Sequence, residues 1–321
     1  MSDRPRTAVL HTVSASHWVD ADDLVAAVSD RVPDLELAVA RTPGETRSLA
    51  PEAEVVLASW LPSGFLESAD RLRWVQALSA GVDFFDLGSL RDDGVHLTTA
   101  AGVHAEPIAE QTLGYMLAFE RGILRGIRQG ARSRWLRYEG GELRGKTVGV
   151  VGVGSVGGRV AELCAALGMT VVGTRRDPGT APAAVDRIWG PDGLHDLLSR
   201  ADYVVVACPL TARTRGLIGY EEFGVMSEEA VLVNVARGPI VDEESLVEAL
   251  RQGRIAGAAL DTFETEPLPA DSPLWNLPNV IVTPHMAGST PHKTRRLADV
   301  FETNYRAFRA GDPEGMVNRV T

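Results

Sequence analysis

The sequence predicts an α/β protein of two domains, each a doubly wound parallel sheet, with the second domain inserted into the first. Three observations carry this expectation. Short apolar, β-branched runs alternate with helical patterns along almost the whole chain, which is the signature of repeated βα units. One of these units holds a glycine-rich turn between a strand and a helix. The residues after His285 are mostly a single amphipathic helix, too short for a domain, so they are expected to pack back on the N-terminal part.

The chain has 321 residues, 45% hydrophobic and 23% charged, enough apolar material for real cores. Its 32 Lys and Arg against 43 Asp and Glu give a net charge of −11. That balance excludes a nucleic-acid binder as the overall plan, because such a protein needs a basic face to displace counterions. Cys164 and Cys208 lie inside apolar runs and read as buried, reduced thiols. The N-terminus has no hydrophobic signal core, and no apolar run approaches the roughly 20 residues of a membrane helix. A cytoplasmic location without a membrane partner is expected.

In chain order, TAVLH, LELAV, EVVLAS and RWVQAL read as strands, with a helix from Asp22 to Asp30 between the first two. From Glu106 to about Gln129 the pattern becomes one long helix. Six further strands follow: TVGVVG, TVVGT, YVVVAC, AVLVNV, IAGAAL and NVIVTP. The closing helix is expected over Thr290 to Arg309. The domains are therefore drawn as residues 1–105 with 288–321, and residues 106–287.

Two glycine motifs compete for a phosphate. Gly140, Gly145, Lys146 and Thr147 fit a nucleotide-triphosphate loop, but that loop must open a helix, and here Lys146 and Thr147 open a strand. Gly152-Val153-Gly154-Ser155-Val156-Gly157 has the right context, with a strand before it, SVGGRVAELCAAL after it and the next strand at Thr170. The first glycine permits the tight turn, the second lets backbone approach a pyrophosphate, and the third lets helix pack on strand. A dinucleotide site is expected. The end of the following strand, about 20 residues on, selects the ribose form. It reads Thr174-Arg175-Arg176-Asp177, and a guanidinium there pairs with a 2′-phosphate, so NADPH is preferred over NADH. The alternative keeps Arg175 and Arg176 as solvated charges and lets Asp177 reach the ribose. No HExxH or CxxC is present and the remaining histidines lack ligand spacing, so no metal is expected.

Three later segments, NVARGPIVDEESL, ALDTFETEPLP and VIVTPHMAGST, carry polar groups suited to reduction at strand ends. With the pattern Ser79-Ala80-Gly81-Val82-Asp83, the helix segment ending Ile108-Ala109-Glu110 and the glycine turn, the chain resembles the D-isomer-specific 2-hydroxyacid dehydrogenases along essentially its whole length. The resemblance implies a Rossmann-like cofactor domain inserted into a flavodoxin-like substrate domain. It also implies reduction of a small 2-keto acid to the D-2-hydroxy acid, and a homodimer.

On that resemblance Arg237, Glu266 and His285 carry catalysis. Arg237 offers a planar fork for the keto-acid carboxylate, His285 gives the proton that must accompany a hydride, and Glu266 orients the ring. Ala80, Gly81 and Val82 complete the carboxylate cradle with backbone N–H groups. Asp261 meets the nicotinamide carboxamide, Val235 and Ala236 the nicotinamide ring, Cys208 and Pro209 the adenosine side, and Thr214 the phosphates or ribose. Gly288 also belongs to the cofactor set. Trp60 and Leu61 stand where they would narrow a pocket, and Trp135 where an aromatic enters a partner's site in some relatives. Two alternatives stay open: a dinucleotide-sensing corepressor of the same fold, and an NAD-preferring enzyme like phosphoglycerate dehydrogenase.

Overall fold

The computed structural model describes residues 7–11, 20–82 and 84–321. The chain divides into two compact units, Met1–His104 with Ser289–Thr321, and Ala105–Gly288. The first contains β1 (Thr7–His11), α1 (Ala21–Arg31), β2 (Glu36–Ala40), α2 (Pro43–Leu49), β3 (Val55–Ala58), β4 (Trp74–Ala77), α3 (Leu87–Asp92) and β5 (His96–Thr98). The second begins with α4 (Ala105–Glu120), α5 (Ile123–Gly130), β6 (Thr147–Val151), α6 (Ser155–Ala166), β7 (Thr170–Thr174) and β8 (Arg187–Trp189). It continues with α7 (Leu194–Leu198), β9 (Tyr203–Val206), α8 (Tyr220–Val225), β10 (Val231–Asn234), α9 (Glu243–Gln252), β11 (Gly257–Leu260) and β12 (Val280–Val282). The chain then re-enters the first unit as α10 (Lys293–Ala310).

The first sheet has the parallel order β2-β1-β3-β4-β5, the flavodoxin-like arrangement. Every residue of β3 and β4 is buried, which is why β3 reads as a continuous apolar run without alternation and β4 departs from one only at Gln76. Helix α10 completes this core. Phe301 stacks on Trp74 with ring centroids 5.1 Å apart, and Leu297, Ala298 and Tyr305 are buried beside it. The buried polar groups here satisfy one another: Trp74 Nε1 donates to Thr98 Oγ1 (2.8 Å), Thr98 Oγ1 to Gln76 Oε1 (2.8 Å), and Asn304 Nδ2 to Gln76 Oε1 (3.0 Å). Such a closed set removes the desolvation cost of burying them.

The second sheet is parallel in the order β12-β11-β10-β9-β6-β7-β8. Chain order reverses between β6 and β9, and an open α/β sheet binds its ligand outside the carboxyl ends of the strands at such a point. The turn after β6 is the glycine motif.

Two features depart from expectation. The single long helix of residues 106–129 is in fact two helices, interrupted at Gly122, whose left-handed φ of +63° no helix interior adopts. Apolar periodicity runs through the break and hides it. Strands β5 and β8 carry no apolar run that marks them in the sequence. Each has three residues at the end of its sheet with one neighbouring strand, so neither needs a long apolar run. Among the described residues no helix is long and apolar enough to cross a membrane.

Candidate active site

The glycine turn is built as its sequence suggests. Gly152 has φ +100°, and a Cβ there would lie 2.6 Å from Cys208 Cα, so the turn is pressed against the chain leaving β9. A Cβ on Gly157 would collide with the Gly152 carbonyl and with Val150, which fixes how closely α6 packs on β6. At Gly154, by contrast, nothing lies within 4 Å of where a Cβ would be. Residues Gly154, Ser155 and Val156 open α6, whose first turn has no side-chain cap, so its N–H groups suit an anion. Thr174 O accepts from Gly152 N (3.1 Å) and Val153 N (2.9 Å), tying the end of β7 to the turn.

Beyond Thr174, Arg175 is half-buried with its backbone N–H on Trp189 O, and Arg176 is exposed. Asp177 Oδ1 accepts from Gly179 N (3.0 Å), capping the single turn Pro178–Thr180. Cys208 is half-buried, and desolvation pushes its thiol up to about 11. Thr214 Oγ1 donates to Pro209 O (2.7 Å) and accepts from Thr211 N, so it closes the loop after β9 from within.

Arg237, Glu266 and His285 stand on the loops after β10, β11 and β12, three consecutive neighbours in the sheet. Val235 and Ala236 are buried as the chain leaves β10. Asn234 shapes the turn: its Oδ1 accepts from Ala236 N and its Nδ2 donates to Arg237 O. The next residue must be glycine, because any Cβ on Gly238 would overlap Phe263 and Glu264, the backbone that leads to Glu266. Arg237 and Glu266 are thus carried by loops in backbone contact. Among the described residues the Arg237 guanidinium makes one hydrogen bond, from Nη1 to Ala236 O (2.8 Å).

Glu266 Oε1 accepts from Phe263 N (3.0 Å), and its Oε2 lies 2.7 Å from His285 Nδ1. A carboxylate only accepts, so Nδ1 carries the proton and Nε2 is the ring atom presented outward. The His285 side chain is 47% exposed. Its backbone is unusual, with φ +49° at a non-glycine residue.

Asp261, 2% exposed, accounts for that backbone. Its Oδ1 accepts from Met286 N (2.9 Å) and Thr283 Oγ1 (2.5 Å), and its Oδ2 from Ala287 N (2.9 Å). Thr283 and Tyr115 of α4, whose hydroxyls lie 2.5 Å apart, belong to this assembly, and no motif in the sequence marks them as partners. No spacing rule links residues so far apart in sequence. Neighbouring Thr262 has a buried Oγ1 with no hydrogen-bond partner among the described residues.

In the first unit, Ala80, Gly81 and Val82 follow β4 in a turn where Ser79 Oγ donates to Gly81 O (2.7 Å). Asp83 lies outside the described residues. Trp60 is half-buried after β3, and Trp135 is 92% exposed.

Residues 113–287 match the family model for the D-isomer specific 2-hydroxyacid dehydrogenase, NAD binding domain. The chain belongs to the D-isomer-specific 2-hydroxyacid dehydrogenase family. It is an oxidoreductase of that family with a domain for a nicotinamide cofactor. The dehydrogenase is 38% identical over 266 residues to the glyoxylate reductase of Aeropyrum pernix, covering 79% of this chain and 78% of that protein. It is 34% identical over 300 residues to the D-3-phosphoglycerate dehydrogenase of Methanocaldococcus jannaschii, where it spans 91% of its own length and 56% of the relative's. Among solved structures, it is similar to a D-isomer specific 2-hydroxyacid dehydrogenase from Xanthobacter autotrophicus in complex with NADPH and MES. That likeness has a TM-score of 0.84 at 34% identity and covers 98% of each chain.

Proposed function

We propose that this dehydrogenase reduces small, unphosphorylated 2-keto acids to D-2-hydroxy acids with NADPH, reversibly, in the cytoplasm and as a homodimer. The observation that carries the reading is the Glu266–His285 pair, which fixes the proton on Nδ1 and turns Nε2 outward. When bound, the nicotinamide cofactor supplies the hydride. His285 Nε2 gives the accompanying proton to the keto oxygen, and Glu266 orients the ring through Nδ1. Arg237, with four guanidinium N–H groups beyond the one on Ala236 O, holds the substrate carboxylate and polarises its keto oxygen. In the first unit, Ala80, Gly81 and Val82 offer backbone N–H groups of the kind that suits a carboxylate.

The chain's own residues suit a dinucleotide. Gly152, Gly154, Ser155, Val156 and Gly157 form the pyrophosphate turn, with Thr174 anchoring it. Arg175 and Arg176 hold the 2′-phosphate, a reading supported by Asp177 being engaged as a turn cap. Cys208, Pro209 and Thr214 border the adenosine side, Val235 and Ala236 the nicotinamide, and Gly288 closes the set. Asp261 has three of its roughly four acceptor positions filled, leaving one on Oδ2 for the carboxamide N–H. Against a phosphorylated substrate, residues 59–66, 78–86 and 99–104 after β3, β4 and β5 contain no Lys or Arg. The dimer rests on exposed Ile123, Ile127 and Trp135, apolar groups a second copy would cover.

Initial rates with glyoxylate, hydroxypyruvate, pyruvate, phenylpyruvate and 3-phosphohydroxypyruvate, each with NADPH and NADH, test the reading. A higher kcat/KM for the phosphorylated acid overturns the substrate assignment, and no turnover at all returns the chain to the sensor class. His285→Gln is expected to lower kcat by about 10²–10⁴-fold. Wild-type kcat in that variant refutes the acid assignment. A monomeric mass by light scattering refutes the dimer.

A further inference from the structure

His285 is held in a left-handed backbone conformation on a loop where its own side chain is half exposed. Such a conformation costs of order 1–3 kcal/mol and persists only where the surroundings impose it. The imposing element is the Asp261 carboxylate, which grips the N–H groups of Met286 and Ala287 on one side of His285 and the Thr283 hydroxyl on the other. The grip extends one step further. Thr283 has a single hydroxyl proton and gives it to Asp261, a pure acceptor, so the 2.5 Å contact with Tyr115 has the phenol as donor. Tyr115 is 4% exposed and fixed in α4, and burial pushes its pKa up, keeping it a neutral donor.

We propose that Tyr115 is a positioning residue for the proposed acid His285, acting through the hydroxyl of Thr283 and the carboxylate of Asp261. The donation from Tyr115 fixes the Thr283 rotamer that aims its proton at Asp261. Asp261 in turn sets the two amides that follow His285, and so the direction in which Nε2 points. The inference rests on His285 being the proton donor.

Tyr115→Phe removes the donor and keeps the ring, Thr283→Val removes the middle hydroxyl at constant shape, and Thr283→Ser restores it. With hydroxypyruvate and NADPH, Tyr115→Phe is expected to lower kcat about threefold to tenfold, the worth of one hydrogen bond. KM for NADPH, and its affinity for the free enzyme by fluorescence titration, should stay within twofold. Thr283→Val should lower kcat further, Thr283→Ser should recover most of it, and the Tyr115→Phe/Thr283→Val double variant should be no slower than Thr283→Val alone. Wild-type kcat in Tyr115→Phe overturns the inference, as do additive losses or a parallel loss of cofactor affinity. His285→Gln measured alongside separates the two levels. If it is impaired and Tyr115→Phe is not, only the positioning inference falls. If it keeps wild-type kcat, or the wild type turns over none of the keto acids tested above, the inference falls with the reading beneath it.

Discussion

The three glycines of the turn after β6 should respond differently to the same methyl group, and the difference can be worked out beforehand. In Gly152→Ala the new Cβ would sit 2.6 Å from Cys208 Cα, about 1 Å short of where two carbons rest. Moving the chain after β9 away costs roughly 1–3 kcal/mol of overpacking, and a side chain at φ +100° adds a further 1–3 kcal/mol or so. The sum, about 2–6 kcal/mol, should lower Tm by roughly 4–24 °C in a unit of this size. Gly154→Ala meets open space at an ordinary φ, so Tm without cofactor should stay within about 1–2 °C of wild type, a shift smaller than 1 kcal/mol would give. If the turn holds the pyrophosphate as proposed, the new methyl would stand in the way, and affinity for NADPH should fall about tenfold or more. Gly157→Ala should resemble Gly152→Ala in melting. Differential scanning fluorimetry of the cofactor-free protein, paired with NADPH titration, reads both quantities. If Gly154→Ala melts as early as Gly152→Ala, or binds NADPH as tightly as wild type, the assignment of roles within the turn is wrong.

Arg175→Ala should lower kcat/KM for NADPH about 10–100-fold, the worth of a charge-assisted hydrogen bond, and leave NADH nearly unchanged; equal loss with both cofactors refutes the 2′-phosphate contact. Thr262→Val replaces a buried hydroxyl without a partner among the described residues by a group of the same shape, and is expected to raise stability by about 1 kcal/mol in urea titration; a destabilised variant would reveal an unrecognised hydrogen bond. Asp242 caps α9 by accepting from Ser245 N (2.8 Å), and hydrogen bonds from the Ser245 hydroxyl and backbone hold its carboxyl below the usual aspartate range. A depressed pKa means stability that is present above the unfolded value and lost as pH falls through the folded one. Asp242→Ala should therefore cost about 1 kcal/mol near neutral pH, and the gap from wild type should close below about pH 4; a gap independent of pH refutes the charge-assisted cap.

The glycine turn, the three strand-end segments and most of the parallel strands are legible in the sequence because each is a local pattern. A tight turn needs Gly152, and fully buried strands such as β3 need unbroken apolar runs. What escapes the sequence is what depends on distant neighbours. The break at Gly122 is invisible to periodicity, since both helices share the apolar pattern. Strands β5 and β8 are defined by the strand beside them more than by their own three residues. The same holds at the candidate site: Arg237, Glu266 and His285 can be nominated by residue type and order, whereas what holds them in place cannot. Tyr115 looks like any apolar position of α4 until its hydroxyl meets Thr283.

The first unit is interrupted in the chain by the whole of the second, and this sets a timetable for its birth. When β3 and β4 leave the ribosome, the core they share with Phe301 and Tyr305 cannot close, because α10 follows Ala105–Gly288 in sequence. At about 5–20 residues per second, synthesis of the intervening unit takes roughly 10–40 s. Through that interval Trp74 lacks its stacking partner, and Gln76 lacks Asn304. The inserted unit, continuous in sequence, can fold during this wait. The nascent first unit therefore keeps part of its apolar core uncovered throughout that interval, and its folding is completed only after synthesis of the other.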